Sequence, residues 1–354
     1  MNHLQTQLDQ IQPLHQHAMK LAQQRWNSIA KPINGLGLLE QVITQIAGIT
    51  GNSKIELSRR CAVVFCADHG IVAEGISQTG QEVTTLVAKR LASSSHTTLT
   101  IMANSAGADV LPVDIGISQT AQITGLLNHK IALGTQNFLH QPAMTLDQAL
   151  AALQTGITLA GQLKKQGYHL LAAGEMGIGN TTSAAAITSV LLQKPPKQVT
   201  GKGAGLSATQ LAHKISVIEQ ALSMHTPDPN DPLDILCKVG GFDIAGMVGL
   251  FLGGGIYRIP ILIDGLISST AALLAATLCP AIIPHLIATH ISAEPAAAMI
   301  LQRLRLTPLL CCNLALGEAT GAIATLPLLD MALQVYQKMD TFTQFQMQPY
   351  QPLS

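Results

Sequence analysis

The chain has 354 residues, enough for one large domain or two modest ones, and its composition favours Ala, Leu, Ile and Gly over aromatics. Its formal net charge is zero and no long basic or acidic run stands out, which argues against nucleic acid as the main partner. The cysteines, Cys61, Cys66, Cys237, Cys279, Cys311 and Cys312, form no Cys-x-x-Cys pair and read as free thiols in a reducing compartment. The histidines are scattered, without a His-Glu-x-x-His, so no metal site is expected.

The start, residues 1–12, is polar and lacks the apolar core of a secretory signal, so a cytoplasmic location is expected. Leu14, Met19, Leu21 and Trp26 recur at helical spacing. Lys31-Pro32 breaks that helix, Asn34-Gly35-Leu36-Gly37 turns the chain, and residues 38–47 read as a second helix. A repeated pattern then begins, in which short apolar runs end abruptly in polar clusters. Residues 61–67 end in Asp68-His69-Gly70, and residues 110–113 in Asp114-Ile115-Gly116. Residues 170–173 end in Gly174-Glu175, and residues 259–263 in Asp264-Gly265. Residues 282–288 end in Thr289-His290, with Ser292 and Glu294 just beyond. Apolar helices lie between several of these runs. This is the pattern of a parallel sheet buried on both faces. Ligands of such sheets bind outside the carboxyl ends of the strands, where all five clusters would gather.

Residues 266–291 carry no Asp, Glu, Lys or Arg and are long enough to span a bilayer. Pro280 and Pro284 interrupt them, so a buried helix, a turn and a buried strand are expected instead, with no transmembrane span. Residues 326–339 again read as a helix, and the Gln- and Pro-rich residues 341–354 as irregular.

The most informative segment runs from Gly174 to Ala186: an apolar strand, a glycine-rich turn and a helix start. Gly177 and Gly179, on either side of Ile178, let the backbone bend and approach a ligand. Asn180, Thr181 and Thr182 offer oxygens for capping. The free N–H groups of a helix N-terminus favour a phosphate, and Glu175 beside it points to a phosphorylated sugar whose hydroxyls are also read. A tight turn without a ligand is the alternative. Gly201-Lys202-Gly203-Ala204-Gly205 is a second glycine-rich segment, from which Lys202 or, on the following helix, Lys214 could neutralise a phosphate; a mobile surface loop is the alternative. Asp243 reads as a first-turn acid favoured by the helix dipole. Glu318 stands among apolar and small residues; burial would raise its pKa and suit it to general-base work, whereas the alternative is a helix glutamate facing water. Gly317 and Gly321 would leave room for a flat substrate. A nicotinamide-cofactor dehydrogenase would need a Gly-x-Gly-x-x-Gly after the first strand, which residues 61–70 lack.

Taken in order, a series of segments resembles the nicotinate-nucleotide:dimethylbenzimidazole phosphoribosyltransferase family. They are Lys31-Pro32 with Gly35-Leu36-Gly37-x-Leu39-Glu40, Ala67-Asp68-His69-Gly70, Glu74-Gly75-Ile76-Ser77, Gln81-Glu82-Val83-Thr84 and Val113-Asp114-Ile115-Gly116. They continue with residues 174–182, residues 238–243, Ile263-Asp264-Gly265, His290-Ile291-Ser292-Ala293-Glu294 and Leu316-Gly317-Glu318. The resemblance implies a Rossmann-like, mostly parallel sheet with helices on both faces over residues 56–325, and a small helical domain from residues 1–55 and 326–354. It implies a homodimer and neither cofactor nor metal. The implied reaction moves the phosphoribosyl group of nicotinate mononucleotide to a benzimidazole, inverting the anomeric carbon and releasing nicotinate. Glu318 would be the general base and Glu175 would lie by the ribose. The loop at 176–179, with Gly177, Ile178 and Gly179, the 201–205 loop, with Gly203, and Lys214 would hold the phosphate, and Asn180 and Thr181 would also bind substrate. Asp68, His69, Thr79, Asp243, Asp264, His290 and Ser292 would complete the substrate-binding set.

The chain departs from the family pattern in places. Ala315 stands for an Arg and Ala319 for a Gly around the acid, and Pro295-Ala296-Ala297 follows Glu294 in place of a glycine-containing turn. Thr79-Gly80 replaces a Ser-Pro or Tyr-Pro, and residues 93–96 replace a more glycine- and alanine-rich helix start. These changes bear on the base pocket more than on the phosphate seat. They leave a catalytically weak relative, binding nucleotide or base without efficient turnover, as the alternative function.

Overall fold

The computed structural model describes residues 2–93, 96–120 and 122–350. The tail at 351–354 and Ser94 and Ser95, within the departure at 93–96, lie outside the described residues.

The chain opens with helices α1 (Asn2–Leu8), α2 (Gln16–Ser28) and α3 (Leu38–Thr50) before the first strand, β1 (Arg60–Ala67). Helices α4 (Glu82–Ala92) and α5 (Thr98–Ser105) lead to β2 (Asp109–Gly116) and the short β3 (Leu127–Asn128). The long α6 (Leu146–Lys165) precedes β4 (Leu170–Met176), which feeds α7 (Asn180–Leu192). Helices α8 (Pro196–Val199), α9 (Ala208–His225), α10 (Pro232–Val239) and α11 (Phe242–Tyr257) separate β4 from β5 (Ile261–Ile263). Then come α12 (Leu266–Leu278), β6 (Leu286–Ala288), α13 (Ala296–Leu304) and α14 (Thr320–Lys338).

The six strands form one sheet in the order β3-β2-β1-β4-β5-β6, with every pairing parallel. Strand period explains how both faces are covered. In β1, Cys61, Val63, Phe65 and Ala67 join an apolar cluster with α6, α7 and α9 to α13. The intervening Ala62, Val64 and Cys66 join the other cluster, with α2, α3, α4, α5 and α14. Helices from both chain ends therefore share one core with the second face of the sheet. Trp26 of α2 packs edge-on against Tyr336 of α14, ring centroids 5.0 Å apart. The alanines and glycines make close packing possible. A Cβ at Gly253 of α11 would stand 2.6 Å from Ala160 of α6, so these helices meet nearly backbone to backbone.

Several expected elements change length, each for a local reason. The strands expected at 259–263 and 282–288 shrink to Ile261–Ile263 and Leu286–Ala288. Pro260 and Pro284 lack the N–H that a ladder needs, and residues 280–285 form a 3-10 turn instead. The helix expected at 38–47 runs to Thr50 and ends at Gly51, whose φ is +73°. The helix expected at 326–339 begins six residues earlier, at Thr320, and its N-cap residue, Ala319, is left-handed. Residues 266–291 are a buried helix, a turn and a buried strand, and no helix among the described residues is long and apolar enough to cross a membrane.

Strand order reverses between β1 and β4, where successive connections leave in opposite directions. Such a switch point opens a crevice at the carboxyl edge of the sheet.

Candidate active site

All five polar clusters lie on that carboxyl edge, because the strands that precede them are parallel neighbours. A cleft with about 860 Å³ of empty space opens over β4, β5 and β6. Its polar wall is Glu175, Asp264, His290, Ser292, Glu294 and Glu318, and Met176, Leu266, Ile267, Leu314 and Leu316 supply apolar wall. A second hollow of about 390 Å³ shares the 177–181 turn and Gly203 with it and reaches Lys214, Ser77 and Gln78.

The turn between β4 and α7 is where the glycines matter. Gly179, the N-cap of α7, has φ +101°, and a Cβ there would stand 2.8 Å from Val72. The expected capping by Asn180, Thr181 or Thr182 does not occur, and no side chain caps α7. Those side chains are spent differently: Asn180 donates to the Glu175 carboxylate, and Thr181 accepts from Lys214 Nζ at 2.8 Å. The reason is positional. They sit inside the helix, after a cap residue with no side chain. The turn itself is pinned from below, where Ile178 N–H donates to Thr84 Oγ1 at 3.1 Å.

Both lysines line the second hollow, and they differ in burial. Lys214 is 1% exposed, on α9, whereas Lys202 is exposed. Burial lowers the Lys214 pKa to about 8, partly offset by the Glu294 charge. Among the described residues no carboxylate lies within ion-pair distance of Lys214. A buried ammonium whose near partner is a hydroxyl is poorly compensated, and burial disfavours its charged form. Gly203 and Thr181 stand at the same spot: a Cβ on Gly203 would be 3.0 Å from Thr181 Oγ1 and 3.6 Å from Lys214 Nζ. Glu294 holds this loop by accepting the Gly203 N–H at 3.2 Å.

Two acids face the cleft with raised pKa. Glu175 is buried, and burial first, then the charges of Asp243, Asp264 and Glu318, push its pKa well above the carboxylate range. Its oxygens accept from Asn180 Nδ2 and, at 3.4 Å, from the Glu318 N–H. Glu318 is half-buried, and burial followed by the Asp264 charge raises its pKa. It does not lie on a helix facing water. It sits in a turn of three successive left-handed residues, Gly317 (φ +87°), Glu318 (+59°) and Ala319 (+68°), directly before α14. Gly317 lines the cleft, as expected, whereas Gly321 does not and lies under the His290 ring. A Cβ on Gly317 would stand 2.5 Å from Glu175 Oε1, and one on Gly321 would run into the His290 ring. Burial lowers the His290 pKa, opposed by Asp264, so the ring is biased toward its neutral form.

Other residues singled out in the sequence fall behind the cleft. His69 and Asp243 are fully buried; His69 Nδ1 is 3.0 Å from Ser183 Oγ, and Nε2 is 3.1 Å from Asp243 Oδ1. Asp243 also lies 3.4 Å from Asn180 Nδ2, so this pair underpins the Glu175 site from below. Asp243 does occupy the first turn of α11. Asp68 is buried and accepts from Ser118 N–H and Oγ at 2.7 and 2.8 Å, tying down the loop after β2. Thr79 is exposed beside Ser77 and Gln78, which do line the second hollow. Glu294 and Thr84 were missed as site residues. Each stands in a family-like segment, but only the fold shows which group it supports. Among the described residues no three His, Cys, Asp or Glu side chains cluster closely enough to hold a metal ion.

A parallel α/β sheet whose carboxyl edge opens into a cleft with raised-pKa carboxylates, beside a buried lysine, is the framework of a group-transfer enzyme. The chain belongs to the phosphoribosyltransferase family whose model, DBI_PRT, matches residues 11–346. It is 43% identical over 343 residues, 97% of each chain, to the nicotinate-nucleotide–dimethylbenzimidazole phosphoribosyltransferase of Desulforudis audaxviator. It is 39% identical over 346 residues, 98% of each chain, to the enzyme of that name from Ruminiclostridium cellulolyticum. The crystal structure of CobT from Thermus thermophilus superposes with a TM-score of 0.88 at 37% identity, covering 94% of this chain and all of that one.

Proposed function

We infer that the chain transfers the phosphoribosyl group of nicotinate mononucleotide to 5,6-dimethylbenzimidazole or a related base. The products are α-ribazole 5'-phosphate and nicotinate, and the step belongs to assembly of the cobalamin nucleotide loop. The observation that carries the reading is a pair of hollows that share Asn180, Thr181 and Gly203, with Lys214, buried without a carboxylate partner, in one and Glu318 in the other. The phosphate sits against Lys214, Thr181, Gly203 and the N-terminus of α7, and the ribose beside Glu175 and Asn180. The Glu318 carboxylate takes the N–H proton of the benzimidazole while the other ring nitrogen attacks C1' of the ribose. The C1'–N bond to the pyridinium ring breaks, its electron pair neutralises the ring, and nicotinate leaves without an acid. Attack opposite the departing ring inverts C1'. Burial and the Asp264 charge keep Glu318 a stronger proton acceptor than an exposed carboxylate. Held orientation supplies much of the remaining rate.

Ala315 lies exposed on the cleft rim, the Ala319 methyl packs against Gly174, and Glu318 lines the cleft beside them. That favours an active enzyme over a weak relative. The same reading gives a Rossmann-like domain over residues 56–325, a small helical unit from 1–55 and 326–354, a cytoplasmic homodimer and no cofactor. Purified protein incubated with nicotinate mononucleotide and 5,6-dimethylbenzimidazole releases free nicotinate. No release with any benzimidazole, purine or phenolic acceptor overturns the reading.

A further inference from the structure

Asp264 stands at the end of β5, 2% exposed, on the wall of the cleft. Both Asp264 oxygens accept backbone N–H groups from one segment. Oδ2 accepts the Ala319 N–H at 3.1 Å, and Oδ1 accepts the Ala322 N–H at 3.0 Å. These are donors from the first turn of α14, whose own N-cap residue, Ala319, provides no side-chain cap. Asp264 thus supplies from a neighbouring strand the cap that the local sequence lacks. Its charge also sits where the helix dipole favours an anion. Its own N–H lies 3.0 Å from Ser268 Oγ, which fixes the acid from its other side.

The capped turn is the one that carries Glu318. Three left-handed residues in a row cost free energy, two of them with side chains, and persist only where the surroundings hold them. Asp264 grips the turn just after Glu318, Thr320 Oγ1 donates to the Gly317 carbonyl at 2.7 Å, and the Ala319 methyl rests on Gly174.

We propose that Asp264 is a positioning residue: it caps α14 from β5 and so holds the Gly317–Ala319 turn in the one conformation that presents Glu318 to the acceptor base. The proposal rests on the reading of Glu318 as the general base. Four charged or titratable side chains face Glu318 across the cleft: Glu175 from β4, Asp264 from β5, His290 after β6, and Glu294 on the loop beyond it. Asp264 is the one whose charge acts on Glu318 most directly.

The test follows nicotinate release from nicotinate mononucleotide and 5,6-dimethylbenzimidazole across pH in wild type, Asp264→Asn, Asp264→Glu and Glu318→Gln. Donor binding reports whether each variant is folded. Asp264→Asn keeps one acceptor oxygen but turns an N–H donor toward another N–H. Its kcat falls about 10- to 100-fold with donor KM within about threefold, the scale of a misplaced reacting group. With the neighbouring negative charge gone, Glu318 loses its proton more readily, so the acid limb of kcat moves to lower pH. Asp264→Glu keeps the charge but displaces the cap, so kcat falls while the acid limb stays in place, and it serves alone if the Asn variant does not fold. Wild-type kcat in both folded variants, a loss confined to KM, or an unmoved acid limb in Asp264→Asn overturns the positioning role while Glu318→Gln remains inactive. Turnover retained in Glu318→Gln overturns the base assignment and the positioning role with it.

Discussion

The two hollows of the proposed site are built by different means. The proposed phosphate end rests mostly on regular structure, a strand-to-helix turn, a helix N-terminus and a lysine buried on α9, with the Gly203 loop closing it. The acceptor end rests on a loop. Leu314, Ala315 and Leu316 run along its rim, Leu316 is 52% exposed, and the acid follows in a left-handed turn held by an aspartate from another strand. Elements with fixed geometry suit a phosphate, which the donor carries whatever the acceptor. A rim of side chains on a loop can change without disturbing the sheet, which suits the part of the site that meets the variable base. The departures at Ala315 and Ala319 both fall at the acceptor end.

That division can be broken by experiment. The largest effect belongs to the acid: Glu318→Gln lowers kcat by about 100- to 10,000-fold, the usual contribution of general-base catalysis, with donor Kd unchanged by equilibrium binding. Donor binding lost together with turnover would show that the two ends are not separable. Next is the anion seat. Lys214→Ala removes a charge-assisted contact of about 1.5–3 kcal/mol, so KM for nicotinate mononucleotide rises roughly 10- to 150-fold while acceptor KM holds.

The pH dependence separates the ends as well. Glu318 must be unprotonated to act and its pKa is raised, so kcat declines on the acid side at a higher pH than an exposed carboxylate would give. Lys214 must be protonated to bind phosphate and its pKa in the free protein is lowered to about 8. Donor affinity measured by calorimetry therefore weakens as pH rises through about 8, and binding shifts the lysine upward by linkage. Smaller effects test the rim. Ala315→Arg changes the relative kcat/KM for different bases but not donor KM; a change in donor KM would mean that the rim reaches the phosphate end. Ala319→Gly relieves left-handed strain of about 1–2 kcal/mol, offset by lost methyl contacts and a freer unfolded chain. Thermal melting should shift by only a few degrees, upward if strain outweighs those losses.

Much of the site was legible because strand ends announce themselves. An apolar run that stops at Glu175 or Asp264 marks both a strand and the place where its ligand edge begins, and parallel order then gathers those ends. The two chain-end helical regions were legible from apolar spacing, but their shared core with the sheet was not, since period-2 burial on β1 does not say which helices cover each face. Roles within a cluster were harder to read. Asp68, His69 and Asp243 look like Glu175 in sequence, yet they support the loops beneath the cleft. Gly317 and Gly321 looked alike in sequence, yet Gly317 lines the cleft and Gly321 lies under the His290 ring.

The α/β class, the carboxyl-edge location of the site and, through ordered motifs, the family could all be read along the chain. Those depend on local signals: hydrophobic period, turn residues and short spacings. That Lys214 and not Lys202 is buried beside Thr181, and that Glu318 is held in a left-handed turn capped by Asp264, emerged only from the folded arrangement. These facts join residues far apart in the chain. A pKa, an unpaired charge and a helix cap depend on what surrounds a group in space, and only packing supplies that neighbourhood.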